Sequence, residues 1–351
     1  MSGAVSSIDR SVERPPGRRR ARLRLGLSVV LVSIAFVGVL PRIASYQDAW
    51  DRLSGADPSA LALLAAASLW NLASYWPLLI LVLPGLTVRQ AAISNQVSTA
   101  VANTVPAGGA WGAGITVGMY RDWGFPRAEV ARALLVAGLW NVAAKLLLAA
   151  IAIVLLAVAH DDRLPVGLGM VSALVLVVGV VVGVLVLRRP GLGRALIGRV
   201  ERTVRAVERR LGRPSHHRWV AAADELRRDT DALIRGRWRL LTVVTVVSHL
   251  SLFLVLVAAM HTTGLREVSL VEAFAVFSLV RVAMVVPVTP GGAGFTEVGL
   301  AALLAVVGAE PAAAVGTVLV FRAVTWALPI VLGAGCWALW IRERRVAGGA
   351  A

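Results

Sequence analysis

Lysine is nearly missing from this 351-residue chain: Lys145 is the sole example, although Lys and Arg together number 36. Arginine therefore carries almost all the positive charge. Acidic residues are few, 20 in total, which leaves a formal net charge of +16. Cysteine is reduced to Cys336, which excludes an internal disulfide and a cysteine-based metal site. Its apolar neighbours make it a small core residue. No glycine-rich Walker loop is present, so ATP-driven pumping within this chain is unsupported. His249 has no ligand partner at helical spacing and reads as a hydrogen-bonded core histidine. His160-Asp161-Asp162 reads as an exposed loop, not an acid–base or cation site. No cofactor and no metal are expected.

Apolar residues fill the space that these absences leave. They make up 58% of the chain, and the mean hydropathy is +0.76. Several apolar runs exceed about 18 residues, the length that marks a membrane span. The net charge alone would also fit a nucleic-acid binder. The arginines, however, sit beside the apolar runs, which favours the positive-inside rule and anionic lipid headgroups. Membrane lipids are the expected partners, nucleic acid is not, and an unidentified membrane or lipid-synthesis partner stays open.

Two short stretches organise the apolar sequence. One is Pro290-Gly291-Gly292-Ala293-Gly294, flanked by apolar arms at Phe274–Met284 and Val298–Val307. Each arm has about 15 residues or fewer, against about 20 for a full span. Proline and glycine at this density break any single helix. In lipid, broken backbone survives only where protein or a wet cavity satisfies it. The expectation is a re-entrant hairpin over 273–308. The other stretch starts at Pro106-Ala107-Gly108-Gly109, with arms Val88–Val105 and Trp111–Tyr120, giving a hairpin over 88–120. Its entering arm carries Gln90, Ser94, Asn95, Gln96, Ser98, Thr99, Asn103 and Thr104, which should face a cavity or another helix.

The expected fold is therefore an all-α polytopic membrane protein, with six full spans plus two re-entrant helical hairpins. The spans are 23–40, 59–83, 128–159, 166–187, 240–260 and 312–340, and Pro77 kinks the second. A cleaved signal peptide is the rival reading of 23–40, but the residues near Ile43-Ala44-Ser45 make a poor cleavage site. Residues 1–22 read as a disordered basic cytoplasmic tail, and 23–187 as the first membrane half. The segment 188–239 reads as basic amphipathic helices on the cytoplasmic surface. The remainder of the second half is 240–341, and 342–351 is a cytoplasmic tail. Basic flanks put both termini inside. The first hairpin then opens to the cytoplasm and the second to the outside. Each half runs span, span, hairpin, span from opposite sides, an inverted-topology repeat.

The run Pro290 to Glu297, the run Asn103-Thr104-Val105-Pro106-Ala107-Gly108-Gly109 and the span count together resemble a known family. It is the lysylphosphatidylglycerol synthase transmembrane region, a flippase-like domain that also occurs alone. The resemblance covers most of residues 23–341. It implies a multi-pass protein of the bacterial inner membrane that moves lipid or lipid-linked substrates between leaflets. Many members carry Gly-Glu and a later arginine after the first turn; here Trp111-Gly112 stands there, so that acid's role does not carry over. No soluble aminoacyl-transfer domain follows the membrane region in this sequence, so synthase activity is not implied and no enzyme is expected.

Lys145, His249, Arg281, Glu297 and Arg322 are the ionisable residues expected at depth. Each costs a few kcal/mol there unless paired or wet. Glu297 can pair with Arg281 or Arg322, and such a pair can be a structural staple. The remaining excess of cations, with helix N-termini at Ala110 and Ala293, suits an anionic headgroup. The candidate substrate-binding residues are Arg281, Glu297, Arg322, Lys145, Pro290, Gly291, Gly292, Gly294, Asn103, Pro106, Gly108 and Gly109. A lipid-linked transferase and a non-transporting scaffold are the alternatives.

Overall fold

The computed structural model describes residues 47, 54–105, 108–159, 219–285 and 289–349. The 1–22 tail, spans 23–40 and 166–187, most of 41–58, the loop at His160, residues 188–218 and Pro106 lie outside the described residues. Every regular element described is helical. In order they are α1 Pro58–Ser74, α2 Trp76–Val82, α3 Val88–Thr104, α4 Gly108–Asp122 and α5 Arg127–Ala159. Then come α6 Trp219–Thr262, α7 Leu270–Ala283, a 3-10 turn Pro290–Gly292, α8 Phe295–Val306, α9 Pro311–Arg322, a π-turn Ala323–Ala327 and α10 Leu328–Gly349.

Among the described residues four stretches are long and apolar enough to cross a membrane: Pro58–Val82, Arg127–Ala159, Gly236–Thr262 and Pro311–Arg345. Much of their apolar surface points outward. Leu147, Ile151, Val154, Leu155 and Val158 are all exposed along α5, as a lipid-facing stripe requires. The first stretch is interrupted at Tyr75, between α1 and α2, with Pro77 in the first turn of the new helix. The missing proline N–H and the ring clash account for the interruption.

Two sequence boundaries move. The second surface helix expected before residue 239 does not end there: α6 is one helix of 44 residues that runs straight into the span. Nothing near 239/240 breaks a helix, since Gly236 is tolerated and no proline intervenes. Likewise α10 continues to Gly349, so residues 342–349 of the expected tail are helical.

Helices α3 and α4 form one helix–break–helix unit, and α7 and α8 another. The four helices have 17, 15, 14 and 12 residues, each short of a full span. Side-chain bonds locate the ends of the first unit. Arg89, at the start of α3, pairs with Glu343, and Asp122, at the end of α4, meets Arg344 Nε at 3.1 Å. Both mouths of α3–α4 therefore lie beside the same turn of α10. Arg237 Nη1 donates to the Leu81 carbonyl at 3.2 Å, which brings the α2 end and the α6 approach to this same face. At the opposite face Thr262 Oγ1 reaches the Ala60 carbonyl at 3.5 Å, and Thr263 bonds Thr317 at 2.6 Å. The α7–α8 unit starts and ends there.

The two units are punctuated alike. Gly85 at φ 91° precedes a capping box between Thr87 and Gln90; Gly264 at φ 71° precedes one between Ser269 and Glu272. Each unit then closes on another positive-φ glycine, Gly124 or Gly308, before Pro126 or Pro311 leads the next long helix.

Helix α3 sits at the centre, packed most extensively against α10 and α4. Two glycines permit this. A Cβ at Gly112 would stand 2.7 Å from the Ser98 carbonyl oxygen, and one at Gly333 would stand 2.5 Å from that of Gln96. Small residues let helices approach where lipid gives no hydrophobic drive. Elsewhere α1 and α6 are joined by a polar seam of Asn71, Ser74, Ser248 and Ser251. Among the described residues the largest apolar cluster draws mainly on α6 to α9, with Phe277, Leu300, Leu304 and Val315, and takes in Leu64 of α1 and Leu148 of α5.

Candidate functional site

Both helix breaks end at one cavity of about 350 Å³. From the first break it takes Asn103, Gly108 and Gly109; from the second, Thr289 and Gly291. Lys145 on α5, Arg281 on α7 and Arg322 at the end of α9 complete its charged wall. Lys145 lies 18 residues into α5, about 27 Å from the arginine-rich face at 1.5 Å per residue. The cavity is thus near the middle of the long helices. Leu252, Phe277, Leu300 and Phe321 form its apolar side.

The second break owes its shape to glycine. Gly291 is at φ 54°, Gly292 at φ 68° and Gly294 at φ 85°, a left-handed run that L side chains avoid. At Gly291 space matters as much. A Cβ there would meet Asn103 Oδ1 at 2.6 Å and Trp326 Nε1 at 2.7 Å. The two breaks therefore touch, with Trp326 of the π-turn wedged against them. Asn103 Nδ2 donates to the Trp326 carbonyl at 3.1 Å. A carbonyl taken by a side chain in this way is one no longer needed for the i→i−4 ladder, consistent with the π-turn there.

Glu297 is buried and fully engaged. One oxygen accepts from Arg322 Nε at 2.7 Å, and the other from the Gly294 N–H at 2.7 Å. Arg322 also donates through Nη2 to the Gly291 carbonyl at 3.1 Å, and its guanidinium lies 5.6 Å from the Trp326 ring centre. Of the two pairings open in the sequence, Glu297 thus takes Arg322. Arg281 turns instead to His249, with Nη2 3.3 Å from Nδ1. The Arg281 Nε and His249 Nε2 are buried without a partner among the described residues.

Seven expected site residues face the cavity: Asn103, Gly108, Gly109, Lys145, Arg281, Gly291 and Arg322. Glu297 stands behind Arg322, while Pro290, Gly292 and Gly294 shape the turn without lining the cavity. The helix N-terminus expected at Ala293 is displaced. Its N–H bonds the Pro290 carbonyl at 3.0 Å, and α8 begins at Phe295, with Glu297 closing the Gly294 N–H. The positive φ at Gly294 delays the helix by two residues. The first N-terminus does open on the cavity, but at Gly108 and Gly109, not at Ala110.

Sequence reasoning missed how far the polar space extends. A second cavity of about 350 Å³ shares Thr99, Leu252, Arg281 and Thr325 with the first and adds Asn71, Gln96, Asn141 and His249. A third, of about 400 Å³, shares Tyr75, Asn95, Ser98 and Asn141 with the second and reaches Tyr120 near the arginine-rich face. The polar stripe of α3 faces this space through Ser94, Asn95, Gln96, Ser98, Thr99 and Asn103. His249 joins the site although it reads as a core residue. Its signal was present: Thr242, Thr245, Ser248 and His249 recur at helical spacing within an apolar run.

A family model described as the lysylphosphatidylglycerol synthase TM region matches residues 24–333. No curated protein matches the chain.

Proposed function

Because this chain belongs to the family of the lysylphosphatidylglycerol synthase transmembrane region, we propose that it moves an anionic phospholipid or lipid-linked substrate between leaflets. One observation carries this reading: Lys145, Arg281 and Arg322 meet both helix breaks at a single cavity near the middle of the long helices. Buried cations at such depth are expensive, and a ligand or water must offset them. Broken helices around a midplane site are the usual architecture of alternating access.

In this reading α3–α4 and α7–α8 are re-entrant hairpins entering from opposite sides of the membrane, and the two halves form an inverted repeat. Matched glycine turns, capping boxes and following prolines support that assignment. Six full spans result when 23–40 and 166–187 are added. The face carrying Arg89, Arg121, Arg127, Arg237, Arg342 and Arg345 is the cytoplasmic one of a bacterial inner membrane, with both termini inside. The face with Asp57, Glu267, Glu272 and Glu310 is external. The connected cavities from Tyr120 to Arg281 form the headgroup path from the cytoplasmic leaflet. No chemistry on the substrate is assigned.

Purified protein in liposomes tests this. Fluorescently tailed anionic lipid should become accessible to external quencher faster than in empty vesicles. Equal rates for every anionic lipid, with and without correctly folded protein, would exclude transport by the chain alone.

A further inference from the structure

The transport reading leaves the headgroup's charge open, and the cavity narrows it. Glu297 meets one of the three cations, and both its oxygens are occupied, one by Arg322 and one by the Gly294 N–H. Arg322 is held by that carboxylate and by the Gly291 carbonyl, so its charge is matched and its fork largely fixed. The other two cations are not matched. Among the described residues no carboxylate pairs with Lys145 or Arg281, and no acid lines the cavity. Arg281 keeps a buried Nε–H without acceptor. Its Nη2 can donate only to an unprotonated His249 Nδ1, which puts the neutral ring's proton on Nε2. That Nε2–H is also buried and unpartnered, and His249 is 6% exposed. The unsatisfied groups on Arg281 and His249 are thus both donors, while Gln96 Oε1, which lines the second cavity with them, is an unpartnered acceptor, and the uncompensated formal charge is two.

Resting on the reading above, we propose that Lys145 and Arg281 are the headgroup-binding pair and that they select a doubly charged phosphate. A phosphomonoester carries about −1.5 to −2 near neutral pH, and a pyrophosphate at least as much. A phosphodiester carries one charge and leaves a buried cation unmatched. A zwitterionic or cationic headgroup brings its own cation into a wall already positive, and charges below the surface are screened less than exposed ones. Arg322 has a different part: it ties α9 to the second break and holds the wall in place.

The test uses the full chain in liposomes with three fluorescently tailed lipids: phosphatidic acid, phosphatidylglycerol and phosphatidylcholine. Phosphatidic acid should cross roughly ten times faster than phosphatidylglycerol, the scale of one lost charge-assisted hydrogen bond. Arg281→Gln and Lys145→Gln should each bring it down to the phosphatidylglycerol rate, while Arg281→Lys keeps most of the preference. Equal rates for phosphatidic acid and phosphatidylglycerol, or a preference that survives both glutamine variants, overturns the proposal. A binding arm in detergent separates it from transport. Inorganic pyrophosphate and dioctanoyl phosphatidic acid should raise the unfolding midpoint of the wild type, and not that of the glutamine variants. Dioctanoyl phosphatidylglycerol should have little effect. Stabilisation without leaflet movement keeps the charge class and sinks transport. Stabilisation by pyrophosphate alone keeps the dianion and sinks the lipid source. Stabilisation by none of them sinks the inference.

Discussion

Arg322→Gln and Arg281→Gln remove the same charge from the same cavity, yet their effects on stability should differ. Glu297 is 1% exposed and receives Arg322 Nε at 2.7 Å. Removing one partner of such a buried pair strands the other, at about 3–5 kcal/mol. The Gly291 carbonyl loses its Arg322 donor as well, worth about 0.5–1.5 kcal/mol. Arg322→Gln should therefore cost about 3–5 kcal/mol, with the hydrogen bond largely inside that range. Arg281 strands no acid when it leaves, and its Nε–H is already unpartnered. Arg281→Gln should be neutral or stabilising, since it also relieves repulsion from its cationic neighbours. The double variant Glu297→Gln/Arg322→Gln should recover about 0.5–3 kcal/mol relative to the sum of its singles. Reversible unfolding in mixed detergent micelles, followed by tryptophan fluorescence, measures the wild type, the three single variants and the double. An Arg322→Gln cost under about 1 kcal/mol, or an Arg281→Gln cost equal to it, would refute the division into one arginine paired with a carboxylate and one bonded only to His249.

Gly291→Ala should be destabilising by about 1–3 kcal/mol, from its φ of 54° and the contacts with Asn103 and Trp326; a normal unfolding midpoint would show that the two breaks do not touch. Gly333→Ala puts a methyl 2.3 Å from the Ala100 Cβ and should cost about 1–3 kcal/mol by pushing α10 off α3, read in the same assay. Thr87→Ala and Ser269→Ala remove matching caps at opposite faces and should each cost about 0.5–2 kcal/mol; a cost at one only would argue against paired hairpins. The Ser59 hydroxyl and N–H beside Asp57 hold its carboxyl below the usual 3.8. That depressed value stabilises the first turn of α1 above pH 3.8, an effect lost as pH falls through the folded value, so amide protection there relative to intrinsic exchange should fall in acid, and in Asp57→Ala should not. In a Cys336→Ala background, a cysteine at Arg121 should label from the cytoplasmic side and one at Arg266 from outside; the reverse pattern would overturn the orientation.

The architecture was legible because lipid makes strong demands on composition. Runs such as 128–159 and 312–340 are spans by length alone, and Pro106 to Gly109 and Pro290 to Gly294 cannot continue a helix. The capping boxes at Thr87 and Ser269 are a fainter signal, because each lies in a short polar turn between louder apolar runs. Helix ends were the weak point: whether α6 starts before or after residue 239 depends on weak local preferences that a continuous helix overrides.

By itself the sequence determined the helical class, the membrane, the two breaks and the short roster of buried ions, since each follows from residue type and local spacing. Tertiary structure decided which ions meet. Glu297 could choose Arg281 or the more distant Arg322, 25 residues away along the chain, and only the packing of α8 on α9 gave it Arg322. That choice released Arg281 towards His249 and Lys145, on helices far apart in sequence. Pair energies depend on ångström distances and on excluded water, and neither is encoded locally.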